Sequence, residues 1–337
     1  MSRPLPGREE SATKRSVIGA GIVAAFLLAT CGDPPDPRID DVPTKGHVLI
    51  LADEDLRDLV EAEEFMFESI YDKATLDIRY LPEAQLLKAV MNDSVRCWIG
   101  TVRPGGEQEA YYAKRSVKAH VVPIAMDGIA VVVNKERPIE KMARGTLRSI
   151  LFHGSQKGIT WSYVERKELY SDDVIDAVCV GSGSGVLRAA FDTLIGEREY
   201  GQIHAEALPS LEDVVSHIER DKGILGLVSF ASISDLDNSA MKALRDRVRL
   251  VPITALDSAE NDSDPDPFPG VLPNQGTLAD GSYPLRRPVY MVLCEGKSGL
   301  GTGFVSFVAN HKGQRIILKH GIAPNHVPPR EIEIVTQ

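Results

Sequence analysis

The stretch Ser298–Pro324, SGLGTGFVSFVANHKGQRIILKHGIAP, decides the fold. Phe304, Phe307 and Val308 recur at helical spacing and predict one apolar helix face. Gly313 reads as the break in that pattern. A second short helix then spans Gln314–His320 and stops at Gly321 and Pro324. Two packed helices of this kind close a domain.

Upstream, the chain alternates strands and helices. His47–Leu51 predicts a strand, and Asp55 precedes a helical pattern (Leu56, Leu59, Val60, Phe67, Ile70) that ends near Tyr71. Leu76, Ile78 and Tyr80 alternate as a second strand, Glu83–Met91 reads as a helix, and Val95–Gly100 reads as a strand leading to Thr101 and Arg103. After a helix around Glu107–Lys114, two strand-like runs, Lys118–Ile124 and Gly128–Asn134, are separated by little more than Asp127. A second set follows: a short helix in Gly145–Gly154, a strand at Val174–Val180, a helix from Gly185 to about Ile195, a helix at Leu211–Arg220, and strands at Ile224–Phe230, Val248–Ile253 and Val289–Leu293. This order predicts an α/β fold of mostly parallel sheets flanked by helices.

The N-terminus has the form of a targeting segment. Lys14 and Arg15 precede an uncharged run, Ser16–Thr30, that ends at Cys31. That run is too short to span a bilayer, which needs about 20 residues, and it fits a signal peptide over residues 1–30. Residues 31–45, with Pro34, Pro35, Pro37 and Pro43, read as a disordered tether. The net charge is −10, and residues 1–30 carry more basic than acidic side chains, so the remainder is more acidic still. Such a surface does not suit nucleic acid, whereas a few aimed dipoles can hold a small anion against an unfavourable field. Cys97, Cys179 and Cys294 each lie in an apolar run and read as buried free thiols.

The Ser298–Pro324 pattern resembles the C-terminal end of the phosphate-binding periplasmic proteins, the PstS-like branch of the extracellular solute-binding proteins. Gly145–Gly154 followed by Thr160-Trp161 is similar to a further segment of that family, and Leu28-Ala29-Thr30-Cys31 resembles a bacterial lipobox, with Thr30 where Gly, Ala or Ser is usual. The resemblance implies a two-lobed periplasmic-binding-protein-like (type II) clamp. Lobe one would comprise 46–124 plus 289–337, and lobe two 125–288 with a mobile acidic loop at 257–270. The hinge crossings would lie near Pro123–Gly128 and Arg287–Tyr290. It also implies capture of inorganic phosphate or a related oxyanion for an ABC-transporter permease. The protein would be held to a membrane of the bacterial envelope by a lipid on Cys31, facing the periplasm or exterior, with no catalysis, cofactor or metal.

Gly181-Ser182-Gly183-Ser184-Gly185 follows a strand and opens a helix, which presents unpaired backbone amides to an anion. Ser182 and Ser184 offer hydroxyls, Gly183 and Gly185 allow close approach, and Arg188 lies one turn in. The stretch resembles the family's phosphate-wrapping loop, with Val186 where Thr is common. Asp55, in Asp53-Glu54-Asp55 after the first strand, reads as a helix cap or a ligand contact. Thr101 and Arg103 follow a strand at the C-terminal edge where open α/β sheets bind ligands. Arg103 supplies a guanidinium that suits a tetrahedral oxyanion. No P-loop, G-x-S-x-G elbow or short-spaced histidine set is present in the sequence. A sensing or scaffolding clamp is the alternative, and a phosphate-ester hydrolase is the remaining one.

Overall fold

The computed structural model describes residues 41–91, 95–114, 117–153, 160–161, 175–180, 184–194, 204–257 and 267–328. The segments read as signal peptide and lipidated cysteine (1–31), most of the tether, Ser182 and Gly183, and much of the acidic loop lie outside them. The strands, in chain order, are β1 Lys45–Asp53, β2 Lys73–Leu81, β3 Cys97–Gly100, β4 His120–Asn134, β5 Met142–Ala143, β6 Asp176–Val180, β7 Glu206–Leu208, β8 Ile224–Ser229, β9 Val248–Leu250, β10 Ile253–Thr254, β11 Arg286–Leu293 and β12 Ala323–Pro324.

Among the described residues, one sheet runs in the order β2-β1-β3-β11-β4-β8-β6-β7, with β9 and β12 also paired to β4. The flanks are parallel, β2-β1-β3 on one side and β8-β6-β7 on the other. The centre is antiparallel because β4 and β11 cross it in opposite directions. Helices flank the sheet, and the whole has the two-lobed periplasmic-binding-protein-like architecture.

β4 differs from the sequence reading. The two runs expected on either side of Asp127 form one fifteen-residue strand, with Asp127 fully buried inside it. Its first half pairs with β11 and its second with β8 and β9. The strand continues because the Asp127 carboxylate is fully hydrogen-bonded, which removes the reason for a turn. Where β4 meets β11 the ladder is loosened: Pro123 and Pro288 lack amide donors, and the register shifts between Val289 and Tyr290. The carbonyl of Ile124 there accepts hydrogen bonds from the Asn325 amide (3.0 Å) and the Gln314 side chain (3.1 Å).

The C-terminal helices are Leu300–Ala309 and His311–Lys319, so the break falls at Asn310 and not at Gly313. Gly313 instead lets the second helix press on the first, since a Cβ there would lie 2.4 Å from the Val308 Cα. Phe304 and Phe307 pack edge-on against Phe67 of helix Arg57–Ile70, with ring centroids 5.2 and 5.4 Å away. Cys97 and Cys294 are buried on opposite faces of the sheet and form no disulfide. Trp98 and Trp161 are buried in packing roles.

Glu63, on helix Arg57–Ile70, is 2% exposed, and neither carboxyl oxygen has a partner among the described residues. Burial pushes its pKa up to about 9. The folded chain therefore holds this proton where the unfolded chain releases it, and stability falls as pH rises from the usual carboxylate range towards that value. Glu63→Gln is expected to raise the melting midpoint by roughly 5 °C or more near pH 8 and far less near pH 5, read by thermal denaturation. An equal gain at both pH values contradicts this.

Candidate functional site

Seven strands bring residues to one buried polar cluster. Asp53 ends β1, with Asp55 just beyond it; Glu83 follows β2; Thr101 follows β3; Ser184 and Gly185 follow β6; Ser229 ends β8; Asp127 and Arg287 face each other across β4 and β11. Apart from the crossing pair, these are C-terminal ends of parallel strands, where loops and helix N-termini leave polar groups free for a ligand.

Arg287 is the centre of the cluster and is 1% exposed. Its Nε donates to Asp127 Oδ2 (2.7 Å), and its Nη2 donates to Ser229 Oγ (2.6 Å) and Asp55 Oδ2 (3.2 Å). Asp127 also accepts from the Ser229 hydroxyl (2.9 Å) and the Ala231 amide (2.8 Å). Burial works against the guanidinium's charge, but the Asp127 and Asp55 carboxylates beside it hold it firmly protonated. Its third nitrogen, Nη1, is buried with no partner among the described residues. A Cβ on Gly185 would lie 3.2 Å from that nitrogen and 2.6 Å from Glu83 Oε2, so any side chain at this helix start would displace the Glu83 carboxylate.

A second bridge lies alongside. Arg188, on helix Gly185–Leu194, donates from Nε to Glu83 Oε1 (2.5 Å) and from Nη2 to Thr101 Oγ1 (2.9 Å). The Thr101 hydroxyl in turn donates to Glu83. Glu83 is 3% exposed and Thr101 is also buried.

Of the residues singled out from sequence, the structure brings together Asp55, Thr101, Ser184, Gly185 and Arg188. Ser184 Oγ accepts from the Val186 amide (3.1 Å) and caps the helix. Ser182 and Gly183 lie outside the described residues. Arg103 is not in the cluster: it is exposed, with its guanidinium 5.5 Å from the Tyr290 ring centroid. The cap after β1 is Asp53, whose Oδ1 accepts from the Asp55 amide (3.2 Å), which leaves the Asp55 carboxylate for Arg287. Burial pushes the Asp55 carboxyl up, with Arg287 pulling against it.

Arg287, Glu83, Asp127, Asp53 and Ser229 escape sequence reasoning. The accessible signals were an aspartate inside an apolar strand run and a glutamate at the start of the helix after β2. Among the described residues, no group of three or more His, Cys, Asp or Glu side chains could hold a metal ion, and no helix is long and apolar enough to cross a membrane.

A model of the PBP superfamily domain matches residues 44–312. The chain belongs to this family. Among curated proteins, this PBP-superfamily chain is 23% identical over 206 residues to Protein SphX of Synechococcus elongatus, covering 60% of this chain and 55% of that one. It is 25% identical over 212 residues to the phosphate-binding protein PstS of Staphylococcus aureus, covering 62% and 57%. The match thus spans little more than half the length of these relatives. Among solved structures, a substrate-binding protein of Clostridium perfringens with bound phosphate superposes with a TM-score of 0.64 at 19% identity, over 83% of this chain and 100% of that one. An ABC-type phosphate transport receptor of Vibrio cholerae superposes with a TM-score of 0.60 at 15% identity, over 83% and 100%.

Proposed function

We propose that this PBP-superfamily protein captures a small oxyanion, phosphate foremost, between two lobes and presents the closed form to the permease of an ABC transporter, without catalysis. One observation carries the reading. Arg287 Nη1 is a buried, positively charged donor with no partner among the described residues, and it abuts the Gly185 helix start. An unmatched buried donor costs about 1–3 kcal/mol, more when charged, and an oxyanion satisfies it together with the helix amides. The relatives named as phosphate-binding support phosphate as the anion.

In this reading Ser184, Gly185, Arg188, Thr101 and Asp55 are binding residues, joined by Arg287. Ser182 and Gly183 belong to the same loop, and Arg103 stands at the rim. Lobe one takes 46–124 plus 289–337 and lobe two 125–288. They rock about the loosened centre of β4 and β11, where prolines and a bulge interrupt the ladder. Residues 1–30 act as the export signal, and Cys31 carries the lipid that holds the clamp at the bacterial envelope.

A second reading, a sensing or scaffolding clamp, is favoured by the Arg188–Glu83 bridge, which joins the helix after β6 to the segment after β2 without any ligand. Thermal melts with phosphate, sulfate, molybdate and tungstate decide whether this is an anion clamp. Phosphate is expected to raise the melting midpoint saturably, and no shift with any of the four overturns the oxyanion reading.

A further inference from the structure

We propose that Asp53 is a ligand-binding residue that works as a neutral carboxylic acid: its buried Oδ2 donates a hydrogen bond to the captured oxyanion, so that anion binding takes up a proton. This rests on the oxyanion reading above and adds a residue and a control to that site.

Two buried polar atoms of one cluster have no partner among the described residues, Arg287 Nη1 and Asp53 Oδ2. Asp53 is 1% exposed, and its other oxygen is already engaged by the Asp55 amide. An oxyanion lodged between them would offer lone pairs to both atoms, provided that Oδ2 carries a proton. If it is ionised, it repels the guest instead.

The charge around Asp53 favours the protonated form. Glu54 and Asp55 share its loop. Glu83 faces in from helix Glu83–Met91 and Arg287 from β11; behind them, Asp127 of β4 pairs with Arg287, and Arg188 of helix Gly185–Leu194 pairs with Glu83. Asp53, Asp55, Glu83 and Asp127 together outnumber the two guanidiniums, and an arriving anion adds to that surplus. Burial, and then the charge of Asp55, push the Asp53 carboxyl well above the usual carboxylate range, with Arg287 opposing. Glu83 raises it further. The step balances simply: a proton from solvent bonds to Asp53 Oδ2 as the anion enters, and both leave together.

Titration calorimetry of phosphate into the full chain and into Asp53→Asn, from about pH 5 to about pH 9, tests this. Asn keeps the acceptor for the Asp55 amide and presents a permanent donor in place of Oδ2. The affinity of the variant, whose donor does not titrate, is the reference at each pH. The wild-type protein should then lose about tenfold in affinity relative to the variant for each pH unit above the Asp53 midpoint. Phosphate's own titration is common to both and cancels in the ratio. A ratio that stays constant with pH overturns the proton linkage and leaves the oxyanion reading standing. No binding by either protein at any pH overturns both. Should Asp53→Asn not fold, difference infrared spectroscopy of the wild-type protein replaces it. A protonated-carboxyl band that shifts when phosphate binds supports the proposal, and its absence overturns it.

Discussion

Arg287→Met is expected to abolish measurable phosphate binding and to destabilise the fold by about 3–5 kcal/mol. Both effects follow from one geometry. The Arg287 guanidinium is 1% exposed and serves Asp127, Ser229 and Asp55, so its removal leaves two buried carboxylates without their counter-charge. Met fills much of the same volume, so the loss is of charge and hydrogen bonds more than of packing. Stability and binding can be separated. Adding Asp127→Asn to Arg287→Met removes one of the two stranded charges and should recover part of the stability, read by urea denaturation, while phosphate binding stays absent. Wild-type affinity in Arg287→Met contradicts the site as described, and unchanged stability contradicts the assignment of a buried ion-pair network.

Arg188→Ala is expected to weaken phosphate binding by tenfold or more, chiefly through faster release, and to open the unliganded clamp. Arg188 joins the helix after β6 to Glu83 after β2 and to Thr101 after β3, segments that the proposed lobe boundaries put on opposite sides of the cleft. Glu83 is almost wholly buried, so losing its guanidinium leaves a desolvated carboxylate whose simplest relief is to meet water. Opening provides that water. Stopped-flow displacement should show the faster release, and small-angle scattering should show a larger radius of gyration for the unliganded variant than for the wild-type protein. Identical scattering and identical release rates contradict a bridging role for Arg188.

The fold was more legible in sequence than the site because its determinants are local and periodic. The spacing of Phe304, Phe307 and Val308 points to a buried face, and these side chains meet Phe67 and the core. The alternation of strand and helix follows from hydrophobic patterning that each element carries by itself. Gly313 misled for the opposite reason. Its role is a close helix approach, which depends on Val308 several residues away in another helix.

In the site, several residues at turns were legible, Glu83 and Asp53 excepted, and residues inside strands were not. Thr101, Ser184, Gly185 and Arg188 sit where a strand ends and a helix or loop begins, and the local sequence marks that place. Arg287 and Asp127 meet because β11 is threaded antiparallel to β4, a pairing between residues 160 positions apart. No local pattern encodes it. Of the two roles read for Asp55, the cap falls to Asp53 by one small fact of geometry: the earlier aspartate caps the turn, which frees the later one for the guanidinium.

The most direct measurement is a crystal structure of the chain grown with phosphate. One phosphate is expected in the buried cluster, with oxygens within hydrogen-bond distance of Arg287 Nη1 and of the backbone amides at the start of helix Gly185–Leu194. A phosphate bound only elsewhere, or a saturated crystal whose Arg287 cluster holds none, contradicts the central claim.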